Sequence, residues 1–330
     1  MMKKVFFAAF VLLIVMGFAA CSNKQVPVST VNLQLQNSVD SLLKQGMGEN
    51  GATEGMAIVV ETSTGNLRAI VGLKENSGKL VSDTTLFSKA RETFLFRSAS
   101  LLAALETGNV SLDDMFDTYA GIDVVGQDTI YDHNWRKGGY GELTLLQGLA
   151  YNSSIAIDKA VDMAYQDKDV FLQKLEQMGL EKDSTFKGSW PLYALGFHHI
   201  KPVNFVSFFN AIANGGKMVS LKSQDSSAIV VDSMIAEKKN IESMKKAFRF
   251  YVTNGLGKKA ESKMVNVAGT SGSIHTDDGI YADFCGYFPV EKPKYTVFVS
   301  YKRPEIPVSG GGMAGQTFRK IAEQIMKTCK

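Results

Sequence analysis

The chain has 330 residues, 45% of them hydrophobic, with ordinary shares of glycine and proline. That is enough to bury one large core or two modest ones, and it excludes a disordered or fibrous polypeptide. The formal charge is +3, of which Lys3 and Lys4 lie in a leader expected to be removed, so the mature protein is close to neutral; with no long basic run, a nucleic-acid partner has little support.

Lys3 and Lys4 precede an apolar run over residues 5–16, and the small residues Gly17, Ala19 and Ala20 precede Cys21. This is the pattern of a secretory signal, too short for a membrane-spanning helix. The string FAACS at 18–22 resembles a bacterial lipoprotein cleavage site, which implies that residues 1–20 are the signal peptide, that Cys21 is the lipid attachment, and that the membrane partner is reached through that anchor. Residues 21–48 then hold lipidated Cys21, a polar tether and a first helix, and 49–330 one domain. Cys285 and Cys329 could pair in an oxidising compartment, but their spacing gives no reason to insist on it, and a buried strand cysteine is the simpler reading of Cys285.

Leu33, Leu35, Val39, Leu42 and Leu43 recur at helical spacing up to Gly46, and 46–55 reads as the loop that ends this helix. Met56, Ile58 and Val60 alternate into the turn Thr62-Ser63-Thr64-Gly65, and 67–71 returns as the second arm of a hairpin. A helix over 91–105 closes at Gly108. Residues 114–136 read as polar and irregular. Thr144 with Gln147 predicts a capping box, and Ser154 is expected to cap a helix whose Ile157, Ala160, Val161 and Ala164 share a face. Another helix runs from Asp167 through Met178. Pro202 suits a first helical position ahead of Phe205, Phe208, Phe209 and Ile212. Three strands follow, one up to the small residues at 268–273, one rich in aromatics over 282–288, and one over 295–301, with Pro289 and Pro293 in the turn between the last two. Phe318, Ile321, Ala322, Ile325 and Met326 make a closing amphipathic helix.

Several strings, in order along the chain, carry a resemblance. RETFLFRSASLLAALETG at 91–108 is similar to G-S-T-F-K-P-x-x-x-L-A-A-L-E-x-G, AYNSSIA at 150–156 to A-x-S-S-N-V-A, and ANGG at 213–216 to the same four letters. VAGTSGS at 267–273 resembles V-A-G-K-T-G-T, and FCGYFP at 284–289 resembles F-V-G-F-x-P. These are motifs of the penicillin-binding-protein transpeptidase domain, and the resemblance runs from about Gly55 to the end. It implies an α+β fold of the β-lactamase/transpeptidase-like kind, an antiparallel sheet sandwiched by helices with an all-helical subdomain over roughly 114–178. It also implies a place in the bacterial cell envelope, lipid-anchored and facing the periplasm.

Acyl transfer in that family needs a serine nucleophile, a lysine to take its proton, a second serine with an asparagine opposite, and a strand lysine. At the matching positions stand Phe94, Arg97, Asn152, Ser154 and Thr270. Phe94 has no nucleophilic atom, and an arginine stays protonated at any relevant pH. No catalytic residue is therefore expected, and the chain reads as a pseudoenzyme. Its groove residues Ser154, Thr270, Ser271, Gly272 and Ser273 are expected to take a peptidoglycan stem peptide as an added strand, or wall-synthesis proteins serve as partners. Two alternatives stand beside this: an active D,D-transpeptidase or carboxypeptidase using an unrecognised serine, and a structural scaffold. S-x-x-K strings begin at Ser41, Ser184 and Ser243; the second spells S-T-F-K but follows the 152–154 turn, with Gly188 and Pro191 where a helix should continue. His133, His198, His199 and Cys285 lack metal-ligand spacing, with His198 and His199 read as a polar loop pair, and neither metal nor cofactor is expected.

Overall fold

The computed structural model describes residues 29–225 and 227–328, so Cys21 and Cys329 lie outside the described residues. Six strands form the central sheet: β1 (Glu54–Glu61), β2 (Leu67–Asn76), β3 (Lys79–Ser82), β4 (Ala268–Thr276), β5 (Gly279–Phe288) and β6 (Tyr295–Arg303). They lie in the order β4-β5-β6-β1-β2-β3, every neighbouring pair antiparallel. The hairpin and the three-strand unit expected from alternation are both present. The pairing of β1 with β6, from Glu54 opposite Lys302 to Glu61 opposite Tyr295, joins the two ends of the domain into one sheet.

The helices are α1 (Leu33–Asn50), α2 (Arg97–Glu106), α3 (Leu145–Ala150), α4 (Ser154–Ala164), α5 (Lys168–Gln177), α6 (Trp190–Leu195), α7 (Pro202–Ala213), α8 (Lys238–Thr253) and α9 (Gly315–Thr328). Ile58, Val60, Cys285 and Phe298 face a core built with α2, α4, α5, α7 and α8. Ala57, Val59, Phe284 and Val299 face a second core built with α1 and α9. Strands apolar on both faces require such a sandwich, because either face left open would expose a large hydrophobic area. The α+β architecture that the resemblance implies is the one that forms.

Local signals account for several boundaries. Thr144 and Gln147 make the reciprocal capping box, Asp167 caps α5, and Pro202 opens α7. Two expectations are corrected. Helix α1 does not end at Gly46 but runs to Asn50 and stops at Gly51, which holds the left-handed conformation. Gly46 is inside the helix because α1 packs close to β6 and α9, where a Cβ would run into the Tyr301 hydroxyl and Thr317 Oγ1. Residues 114–144 are not all-helical or irregular either. Met115–Asp117 pairs with Glu142–Thr144, and Ile122–Val125 pairs with Asp128–Tyr131 around a turn with Gly126 at φ 63°. These ribbons have three or four residues a side, too short for alternation to show in the sequence.

The two α1 glycines give opposite expected outcomes. Gly48 has open space around its α-carbon, so Gly48→Ala should stabilise the fold by about 0.5–1 kcal/mol in urea unfolding. Gly46→Ala should destabilise it by about 1–3 kcal/mol through overpacking. Equal effects from the two would show that α1 does not pack against Tyr301 as described.

Candidate active site

The segment ahead of α2 is fixed by a buried ion pair. The Arg91 guanidinium donates to both Asp283 carboxylate oxygens at 2.9 and 2.7 Å and to Ser300 Oγ at 3.0 Å. Thr93 Oγ1 donates to the same carboxylate at 2.8 Å and accepts from the Leu95 amide, capping the turn Phe94–Phe96 that leads into α2. Asp283 is on β5 and pairs across to Gly272 on β4. A Cβ on Gly272 would lie 2.9 Å from Leu95 N and from Phe94 Cβ, so only glycine lets this turn sit against the strand.

Phe94 is half-buried, its ring edge-on to Phe197 with centroids 5.0 Å apart. The Arg97 guanidinium carbon lies 3.8 Å above that ring, and Arg97 Nη1 donates to the Asn152 carbonyl at 3.0 Å. Burial pushes the Arg97 pKa down to about 10, with Asp132 partly compensating, so the side chain is still a cation at neutral pH. A desolvated cation on an aromatic face is worth about 2 kcal/mol, and this is how the protein accommodates a charge with no carboxylate in contact.

Asn152 adopts φ 54°, and its Nδ2 donates to the Tyr251 hydroxyl at 3.4 Å. The Tyr251 hydroxyl also contacts Ser271 Oγ closely. Tyr251, from the end of α8, thereby bridges the Asn152 loop to β4. Burial pushes its phenol up to about 12, so it is neutral and no base for Ser271.

The helix α4 is capped by Ser153, one residue before the expected Ser154. The left-handed Asn152 shifts the turn so that Ser153 takes the extended conformation a cap requires. Ser153 Oγ accepts from the Ala156 amide and donates to Asp132 Oδ2 at 2.7 Å, while Asp132 Oδ1 accepts from the Ile155 amide. Desolvation raises the Asp132 pKa. Ser154 is buried, with its Oγ donating to the Tyr131 carbonyl at 3.2 Å.

On β4, Thr270 and Ser271 are 2% and 4% exposed, and Gly272 is buried. Ser273 is half-buried, and its Oγ accepts from the Gly310 amide at 2.8 Å. The structure thus brings Phe94, Arg97, Asn152, Ser271 and Gly272 into one cluster, with Ser154 and Thr270 enclosed. Tyr251, Asp132 and Ser153 escaped the sequence reading. A serine beside Ser154 was a visible cap signal, but nothing local marks Tyr251 or Asp132.

The other candidates fall elsewhere. Ser41, exposed, and Ser243, half-buried, lie within helices and bond back to the carbonyls of Asn37 and Lys239, and Ser184 lies in an exposed turn. The histidine pair is not wholly polar. His198 is buried and stacked on Tyr193 at 3.8 Å, and burial pushes its pKa down to about 4, whereas His199 is exposed, 3.5 Å from Asp183. Among the described residues no group of three or more His, Cys, Asp or Glu could hold a metal ion. Cys285 is buried in β5, and desolvation raises its thiol pKa.

A family model of the penicillin binding protein transpeptidase domain matches residues 55–326. Among solved structures, a peptidoglycan glycosyltransferase from Burkholderia ambifaria superposes with a TM-score of 0.78 at 19% identity, covering 92% of this chain and 98% of that one. The apo transpeptidase domain of penicillin-binding protein 3 from Burkholderia pseudomallei gives 0.78 at 18% identity, with 94% and 98% covered. The transpeptidase domain of the FtsI4 D,D-transpeptidase from Legionella pneumophila gives 0.68 at 20%, with 92% and 100% covered. At these identities the likeness speaks for the fold.

Removing one partner of the Arg91–Asp283 pair strands a buried charge, so Asp283→Ala should cost about 3–5 kcal/mol in urea unfolding. A loss under about 1 kcal/mol would show the pair to be solvated. His198 and Asp158 should tilt the pH dependence in opposite directions. From its ordinary 6.5 down to about 4, His198 takes up its proton only when unfolded, so it removes up to about 3 kcal/mol of stability as pH falls. Asp158, pushed up to about 7 by burial and by Asp162 and Asp123, holds its proton in the fold and adds stability as pH falls through the same range. Comparing wild type with His198→Phe and Asp158→Asn separates the two; unfolding free energies whose differences from wild type stay constant between pH 4 and 7 would contradict both assignments.

Proposed function

Because the chain belongs to the penicillin binding protein transpeptidase family, we propose that it is an envelope lipoprotein whose domain acts in peptidoglycan metabolism by binding rather than by acyl transfer. The observation that carries this reading is the Phe94–Arg97 pair at the head of α2. Where the family's chemistry calls for an oxygen nucleophile and a proton acceptor, this chain has a phenyl ring under a buried guanidinium. Tyr251 accepts from Asn152 and contacts Ser271, so a neutral phenol joins these two motif positions.

A stem peptide added to β4 would draw on backbone groups of the strand, and those near 270–272 are enclosed. Ser273 keeps a proton to donate to a carboxylate. Such a complex is accordingly weak, and wall polymer or wall-synthesis proteins are the other partners in this reading. No described helix is long and apolar enough to cross a membrane. In this reading lipid on Cys21 holds the protein at the membrane, with the domain facing the periplasm.

Incubation with excess penicillin should leave the intact mass unchanged. A gain equal to the drug, lost in Ser184→Ala or Ser271→Ala, would establish instead a working enzyme with a displaced nucleophile. Metabolic labelling with palmitate should mark the wild type and not Cys21→Ala; an unlabelled wild type would remove the anchor from the proposal.

A further inference from the structure

Outside the Phe94 cluster, the most chemically distinctive surface is the set of rings around Asp132. Tyr131 is 50% exposed and Trp135 37% exposed, their centroids 5.4 Å apart and their planes tilted by 50°. Beside them Tyr140 stacks on Tyr151 at 5.2 Å, and Tyr151 directly precedes Asn152. Tyr140 and Tyr151 are half-buried, while the exposed pair Tyr131 and Trp135 presents ring surface that adds nothing to the core and points to a ligand surface. Their frame is rigid. The Asp132 carboxylate is tied to Ser153, its amide donates to Gly121, and its carbonyl accepts from the Trp135 amide. Gly121 at φ 82° lets this chain reversal close against Trp135, where a Cβ would lie 2.9 Å from the Trp135 Cα.

Two features select the ligand. First, each ring combines an apolar face with a polar edge, suited to a pyranose that stacks its C–H face on the ring and directs hydroxyl and acetamido groups outward to hydrogen bonds. Second, Arg136 lies 5.0 Å over the Trp135 ring and Lys137 is exposed beside it, and neither has an acidic partner within salt-bridge reach among the described residues. That pair complements an anionic group carried at intervals along a sugar chain. We propose that this platform binds stem-stripped glycan strands of the wall, a β-linked N-acetylhexosamine chain whose lactyl carboxylates are free once the amide bond to the stem peptide is cleaved, with Tyr131 and Trp135 as the stacking anchors and Arg136 and Lys137 reading the carboxylate. The inference rests on the reading of the chain as a wall-binding protein and names the ligand. Since Ser154 Oγ donates to the Tyr131 carbonyl, a strand seated there lies next to the Asn152 loop.

The test is a titration of the full chain in detergent. One ligand is glycan strands stripped of their peptide stems but retaining the lactyl carboxylate; the other is neutral β-1,4-linked N-acetylglucosamine oligomers. The chain has two tryptophans, so Trp190→Phe leaves Trp135 as the sole tryptophan, read by excitation selective for indole over the tyrosines. Saturable shifts of its emission are expected with both sugars. In calorimetry, Trp135→Ala and Tyr131→Ala should each weaken binding about tenfold, as loss of an anchor does. Arg136→Gln with Lys137→Gln should weaken only the carboxylated strand, about fivefold at low salt. Circular dichroism melts confirm that the surface variants fold. Absence of binding by wild type, or unchanged binding in Trp135→Ala, would overturn the proposal, as would a Trp135→Ala variant that loses self-association while sugar binding is unaltered. The sugars carry neither stem nor β-lactam, so failure here leaves the non-catalytic reading standing, and acylation by penicillin with sugar binding intact would do the reverse.

Discussion

The position of everything in the candidate site depends on one buried ion pair, Arg91 with Asp283. Its two parallel hydrogen bonds, supplemented by Thr93 and Ser300, lock the segment entering α2 to the middle of β5. A bidentate pair of this kind sets direction as well as distance. Its net contribution to stability can be small, because desolvating both ions offsets their attraction, but breaking it is costly. Its main effect is on register. With Arg91 fixed, residue 94 must stand against Gly272 and residue 97 must point toward the Asn152 loop.

Within that frame, the side chains at the motif positions serve packing. Arg97 is a long cation in a space with no carboxylate in contact, and it is held by the Phe94 ring below and the Asn152 carbonyl ahead. Asp132 contributes a favourable field from behind Ser153 without touching it, which moderates the cost of burying the guanidinium. Tyr251 satisfies Asn152 and Ser271 at once. Each of these contacts joins a wall of the site to its neighbour, so the cluster is held by several shared polar contacts and not by a single plug, although Arg97 Nε is buried without a hydrogen-bond partner among the described residues.

The same Asp132 links the interior to the surface. Its carboxylate orders the start of α4, and its backbone orders the loop that displays Tyr131 and Trp135. A rigid outer platform and a closed inner cluster thus share one support, which lowers the ordering cost for anything that binds outside.

What the sequence by itself determined was whatever depends on neighbours along the chain. The alternation of Met56, Ile58 and Val60, the capping box of Thr144 and Gln147, the helix start at Pro202 and the apolar stripe of Phe318, Ile321 and Ile325 all report local geometry, and all form as read. The motif strings likewise located Phe94, Arg97, Asn152 and Gly272, which the fold gathers together. Tertiary structure alone decided the contacts between distant residues. Tyr251 lies 99 positions from Asn152, Asp132 lies 21 from Ser153, and Arg91 lies 192 from Asp283. No periodicity encodes such pairs, since each partner is an ordinary polar residue until the chain brings them together. The helical Gly46 and the choice of Ser153 over Ser154 as cap have the same origin: both residues suit either role locally, and packing against Tyr301 in one case and bonding to Asp132 in the other selects between them.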